Sequence, residues 1–147
     1  MKDQEKRQFF RLTLKNPLIS DVTIIRVKEN AIETGSANVL IEDISAGGLR
    51  FTSNVLLPVT PQIILEFETT ILNQMVKFPG YIVWKKSSET GLQEYGVQFT
   101  IDNEQFPNIT SILHQLEVRL RRSPLSPSCR FATTEEITSI KKFTPSS

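Results

Sequence analysis

The chain has 147 residues, is 39% hydrophobic and 22% charged, and carries a formal net charge of +1. That is enough for one hydrophobic core plus a tail and too little for two comfortable domains, and near-neutrality disfavours a nucleic-acid binder that works by neutralising many phosphates. Cys129 is the only cysteine, which excludes an internal disulfide and a cysteine-rich zinc cluster; with no secretory apolar segment in Met1 to Lys6 and no run long enough to span a bilayer, a reducing cytoplasm is the expected address.

Residues 1–19 read as a charged arm that is loose without ligand. It contains Lys6-Arg7-Gln8-Phe9-Phe10-Arg11 and ends near Asn16-Pro17, where proline discourages a continuing helix. Residues 20–101 are β-rich. Strands are expected at Val22–Val27, Ala37–Asp43, Gly48–Thr52, Gln62–Phe67, Val76–Lys86 and Tyr95–Thr100, and the alternation of Leu65 and Phe67 with Glu66 and Glu68 marks a strand with one wet face. Six short strands separated by turns indicate a mainly β fold, a small antiparallel barrel. After Asp102 the period changes: Phe106, Ile109, Leu113, Leu116 and Leu120 recur at helical spacing, predicting one amphipathic helix over residues 103–122 that packs on the barrel. Asp102 or Asn103 is placed to cap it, Pro107 fits its first turn, and Arg121 and Arg122 suit its negative end. Residues 123–147 open with Ser123-Pro124-Leu125-Ser126-Pro127-Ser128 and read as a linker-like extension, with a short helix expected after Thr133.

Two signatures carry chemistry. Arg7 and Arg11 are three residues apart, and a guanidinium is a planar, permanently charged fork that grips phosphate oxygens or the O6/N7 edge of guanine. A guanine-bearing anion uses both abilities. Asp43-Ile44-Ser45-Ala46-Gly47-Gly48 is a polar turn offering a carboxylate, a hydroxyl and close backbone approach to a flat ligand. Each has a plainer reading: an arginine pair is usually solvated charge, and the second motif in isolation is a strand-to-strand turn in which Asp43 or Ser45 bonds local backbone.

Together, in this order, the two signatures resemble the PilZ domain, a bacterial receptor for cyclic di-GMP in which an Arg-x-x-x-Arg arm and an Asp/Asn-x-Ser-x-x-Gly turn close on the nucleotide from two sides. Gly80-Tyr81-Ile82-Val83-Trp84 and Tyr95-Gly96-Val97-Gln98-Phe99 are similar to two later strands of that family. The resemblance implies a six-stranded antiparallel split β-barrel with a C-terminal helix. It implies cyclic di-GMP binding by Arg7, Arg11, Asp43, Ser45 and Gly48, with Lys6 and Gly47 as secondary candidates. It also implies an arm that orders on binding and signals to a protein effector, with motility or exopolysaccharide synthesis as output. Lys6 precedes the first arginine at the position that, in the family, influences whether one nucleotide or an intercalated pair is bound. The protomer is expected as a monomer or homodimer.

Phe9 and Phe10 are the natural switch elements of such an arm, with hydrophobic pinning in all states as the alternative. His114 reads as a surface or helix-packing residue, Trp84 as core because it shares a strand face with Ile82, with stacking on a guanine as the alternative, and Cys129 as a bystander thiol. No nucleophile–base constellation, metal-ligand spacing or cofactor motif is visible, so the chain reads as a receptor and not an enzyme. Two rival readings are a degenerate PilZ-like adaptor without nucleotide binding and a barrel for single-stranded nucleic acid.

Overall fold

Alternation decides the inside of the barrel. Along Ile63–Ile71 the side chains of Leu65, Phe67 and Ile71 are buried while Glu66 and Glu68 face outward, as a period of two requires. The computed structural model describes residues 10–28, 30–31 and 35–141. Its strands are β1 (Arg11–Val27), β2 (Asn30–Ala31), β3 (Ala37–Ser45), β4 (Gly48–Ser53), β5 (Ile63–Ile71), β6 (Gln74–Ser87) and β7 (Gln93–Phe99), followed by a 3-10 turn at Asn103–Gln105 and helices α1 (Phe106–Arg122) and α2 (Thr134–Lys141). The order β1-β3-β4-β7-β6-β5 is antiparallel throughout, and β5 pairs back onto β1, so six strands close a barrel; β2 adds a short hairpin to the end of β1. Phe51 stacks on Tyr95 at 4.9 Å and Phe78 on Phe99 at 4.9 Å inside it. Leu113 and Leu116 of α1 are fully buried against the barrel, with Ile109 and Leu120 partly so.

Three expectations are corrected. The sequence places the arm up to residue 19, but strand pairing begins at Arg11, opposite Ser45. Asn16-Pro17 does not end an element; it sits where the β1–β3 register shifts between Thr13 and Leu18, an interruption that tolerates a residue lacking its N–H. Neither Asp102 nor Asn103 caps α1: the 3-10 turn intervenes, and Gln105 stands at the helix start without a side-chain cap, with Pro107 in the first turn.

A further correction concerns the extension. Residues 123–133 do not behave as a linker but lie along the barrel. The Ile19 N–H donates to the Arg130 carbonyl, Arg130 N–H to Thr70, and Ala132 N–H to Pro17, each near 3 Å. Ser126, Ser128 and Cys129 are buried, so the Cys129 thiol is part of the packing. The expected short helix is present, started by a reciprocal pair in which the Glu136 N–H donates to Thr133 Oγ1 and the Thr133 N–H donates to Glu136 Oε1, the capping-box arrangement.

Tyr95 is fully buried, and its hydroxyl donates to the Val55 carbonyl at 2.7 Å while accepting from the Leu57 N–H at 2.8 Å. Burial raises its pKa, with the Leu57 hydrogen bond acting in the opposite sense. The fold therefore accepts the neutral phenol. The stability this gives is complete below the unfolded phenol pKa of about 10 and is lost as pH rises through the higher folded value. Tyr95→Phe is expected to cost about 1–3 kcal/mol at neutral pH, because two backbone groups lose their partner. The same change removes this residue's share of the alkaline destabilisation, which urea unfolding at neutral and high pH would measure.

Candidate functional site

Local sequence and barrel register together place the charged groups on the outer wall. In β3, Ile41 and Ile44 both point into the core although they are three residues apart; a register shift between Ile41 and Asp43 absorbs the extra residue. Such a bulge flips the phase of everything after it. Asp43 thereby stands outside the core, opposite Arg50 on β4, and Arg50 in turn lies opposite Gly96 on β7, which lies opposite Trp84 on β6. A second register shift, between Ile82 and Trp84, has the same effect in β6. Ile82 is buried, whereas Trp84 is 42% exposed. The expectation that Trp84 joins Ile82 in the core is thus overturned by one inserted residue.

A Cβ on Gly96 would collide with the Trp84 indole, so the glycine lets the ring lie over the strand beside it. Gly48 has an equally specific role: a Cβ there would collide with the Val97 carbonyl, so β4 can start tight against β7 only with glycine. Ser45 fixes the turn between β3 and β4. Its hydroxyl donates to the Gly48 carbonyl at 3.3 Å and accepts from the Gly47 N–H at 3.2 Å and from Arg11 Nη2 at 3.4 Å.

The electrostatic centre is Asp43. Arg11 Nη1 donates to its Oδ1, and Arg50 Nε donates to its Oδ2 at 2.7 Å; Arg50 Nη1 also reaches Glu94 Oε2 at 3.0 Å. Partial burial works against the charge on Arg50, but the hydrogen bond and charge of Asp43, followed by the charges of Glu94 and Glu42, outweigh it and raise its pKa. An open cleft of about 710 Å³ runs over this row, bounded by Arg11, Asp43, the Gly47-Gly48 backbone, Trp84 and, from the start of α1, Phe106. Its volume falls within the range of roughly 300–1,000 Å³ usual for small-molecule sites. Phe10, next to Arg11, stacks on His114 of α1 at 4.0 Å between ring centroids. The strand that carries Arg11 is thus anchored on the helix at its first described residue.

A family model described as the PilZ domain matches residues 5–117. The chain belongs to the PilZ domain family. Solved structures agree on the fold. The PilZ domain of YcgR from Escherichia coli with c-di-GMP aligns at a TM-score of 0.54 and 14% identity, covering 80% of this chain and 95% of that one. The Bacillus subtilis inhibitor of motility, MotI/DgrA, aligns at 0.53 and 15% identity over 79% of this chain and 53% of that one. MrkH of K. pneumonia in its apo state aligns at 0.53 and 14% identity over 77% and 52%. This PilZ chain therefore spans about half the length of MotI/DgrA and MrkH. No curated protein sequence matched it significantly.

Within the PilZ domain, the structure brings Arg11, Asp43, Ser45, Gly47 and Gly48 to one cleft. Lys6, Arg7 and Phe9 lie outside the described residues. Leu49 is core, and His114 is a surface residue with a packing role. Sequence reasoning missed Arg50 as a cleft residue and favoured the core for Trp84, which lines the cleft. Arg50 carried a usable signal, an arginine two residues beyond the glycine pair on a strand whose other wall holds Asp43; Trp84 carried none, because a bulge leaves no mark on a hydrophobic pattern. Among the described residues no helix is long and apolar enough to cross a membrane.

Proposed function

We propose that this PilZ protein is a cyclic di-GMP receptor that makes and breaks no bonds. The observation that carries this reading is the convergence of Arg11 with Asp43, Ser45 and Gly48 on a single cleft, groups that come from residues more than thirty positions apart. Support comes from the family, and from YcgR, whose PilZ domain is described with c-di-GMP bound. In this reading Arg7 and Arg11 grip phosphates and guanine edges, Asp43 accepts from guanine N1 and N2 donors, and the Trp84 ring offers a stacking face. Gly47 and Gly48 let the purine approach the backbone, and Lys6 bears on whether one nucleotide or two enter.

Charge-assisted contacts contribute about 1.5–3 kcal/mol each, whereas fixing each arm residue costs about 1–2 kcal/mol. Several contacts acting together are therefore needed to order the arm. Ligand converts residues 1–9 into a docked segment that a protein effector reads, with motility or exopolysaccharide synthesis as the output. Phe10, already seated on His114, is the fixed root of that segment and Phe9 the part that changes environment.

Calorimetric titration of the full chain with cyclic di-GMP tests the reading and gives the stoichiometry. Trp84 is the only tryptophan, so stacking is expected to quench or shift its emission in step with the heat. Absence of both signals would favour the adaptor reading, in which the domain acts through protein contacts alone.

A further inference from the structure

Asp43 is the only buried carboxylate among the described residues, at 7% exposed, and both of its oxygens are occupied. The two arginines that hold it are not equivalent. Arg11 opens β1, its side chain is 49% exposed, and its bonded partners are Asp43 and Ser45. Arg50 lies within β4, which is paired on one side with β3 and on the other with β7; its side chain is 30% exposed, and a second carboxylate, Glu94, holds it. A guanine edge that brings both of its N–H donors to one carboxylate oxygen fills that oxygen's lone pairs and so displaces the arginine now holding it. Arg11 is the one that can leave, since it can trade Asp43 for the nucleotide's own negative charge. Asp43 would then be a nearly buried anion held by a single partner, a costly state were it unpaired.

We propose that Arg50, steadied by Glu94, is the positioning residue of this site: it holds Asp43 Oδ2 while Oδ1 passes from Arg11 to guanine. By this route it sets the preference for a base that presents an N–H and an amino group, without touching the base itself. The inference rests on the receptor reading above. The groups facing the exchange from neighbouring elements are Arg11 on β1, Glu42 on β3, Arg50 on β4, and Glu94 on β7. Glu42 accepts from Thr52 at 2.9 Å and acts on Arg50 through its charge. Lys86 and Lys141 line the adjoining groove beyond Glu94.

The test compares cyclic di-GMP with cyclic di-inosine monophosphate, which lacks only the 2-amino donors. Each is titrated into the full-length wild type, Arg50→Gln, Arg50→Lys, Glu94→Gln, Asp43→Ala and the Asp43→Ala/Arg50→Gln pair. Wild type is expected to favour the guanine ligand by about 10-fold or more, the worth of a hydrogen bond to a charged acceptor. Arg50→Gln should lose affinity for cyclic di-GMP and bring that ratio close to one. Arg50→Lys restores part of it, Glu94→Gln moves it in the same direction by a smaller factor, and in the Asp43→Ala background Arg50→Gln has no further effect. An equal loss for both ligands would mean a merely structural role, and an additive loss in the double variant would mean direct contact between Arg50 and the nucleotide; either overturns the assignment. Should Arg50→Gln fold poorly by thermal melt, Glu94→Gln decides, and an unchanged ratio there overturns it as well. A wild type that binds neither ligand overturns the receptor reading itself, a result distinct from one that binds both with Arg50 irrelevant to their ratio.

Discussion

Arg11→Ala is expected to weaken cyclic di-GMP binding by about 100-fold, the loss of one or two charge-assisted contacts, while the free protein melts within about 4 °C of wild type. The two halves of this expectation have separate causes. In the free protein Arg11 is an outer partner of Asp43, half-exposed and screened by water, and pairs of that kind contribute little to stability. Its removal does not orphan the carboxylate, because Arg50 still donates to Oδ2 at 2.7 Å. In the complex, by contrast, the guanidinium meets a ligand with two phosphate charges and two guanine edges, and the other planar fork lining the cleft among the described residues, Arg50, is held by Asp43 and Glu94. Lysine at this position should recover only the charge and not the bidentate geometry. Calorimetry and a thermal melt on the same preparation decide it. Unchanged affinity would remove Arg11 from the site, and a melt lowered by much more than this would make it a structural residue.

Ending the chain after Arg122 is expected to destabilise the domain by about 3–6 kcal/mol, from losing the burial of Ile140 and Phe131 against the barrel, and to lower Tm by on the order of 10–20 °C. Such a loss is a large share of the roughly 5–15 kcal/mol that holds a domain together. The reason lies in what the extension covers. Ile140 and Cys129 are buried and Phe131 packs against the core, bridging to Leu18 on β1. The extension also completes the β5–β6 hairpin. Leu72 and Asn73 form its two-residue loop with φ of 54° and 65°, the doubly positive geometry of the tightest hairpins, which a leucine adopts reluctantly. The Leu72 N–H donates to Cys129 Sγ at 3.4 Å and the Asn73 N–H to the Ser128 carbonyl at 2.7 Å. Without the extension both donors return to water and the loop stands alone. A truncated chain that melts within about 2 °C of the full one would show that residues 123–141 are an appendage after all.

Strand content, the barrel and the packed helix were legible because they rest on periodicity: Leu65 and Phe67 against Glu66 and Glu68, then Phe106, Leu113 and Leu116 at helical spacing. The turn at Asp43–Gly48 was legible because its residue types answer to local backbone demands, seen in the Ser45 bonds to Gly47 and Gly48. The docking of the extension was not, since Ser126-Pro127-Ser128 has the composition of a linker, and its burial depends on backbone bonds to Pro17, Ile19 and Thr70 whose neighbourhood no local pattern encodes. The same holds for Trp84, where the hydrophobic string Tyr81-Ile82-Val83-Trp84 is silent about the bulge that turns the ring outward.

What the sequence determined by itself was the kind of structure and the two halves of a nucleotide-binding signature, because helix period, strand period and turn chemistry act over a few residues. Only the tertiary structure decided that Arg11 and Asp43 meet, that Arg50 holds the opposite oxygen, that Trp84 lies over Gly96, and that residues 126–140 pack on the barrel. Those outcomes depend on strand register, and a bulge of one residue at Glu42 or Val83 reverses which face a side chain occupies.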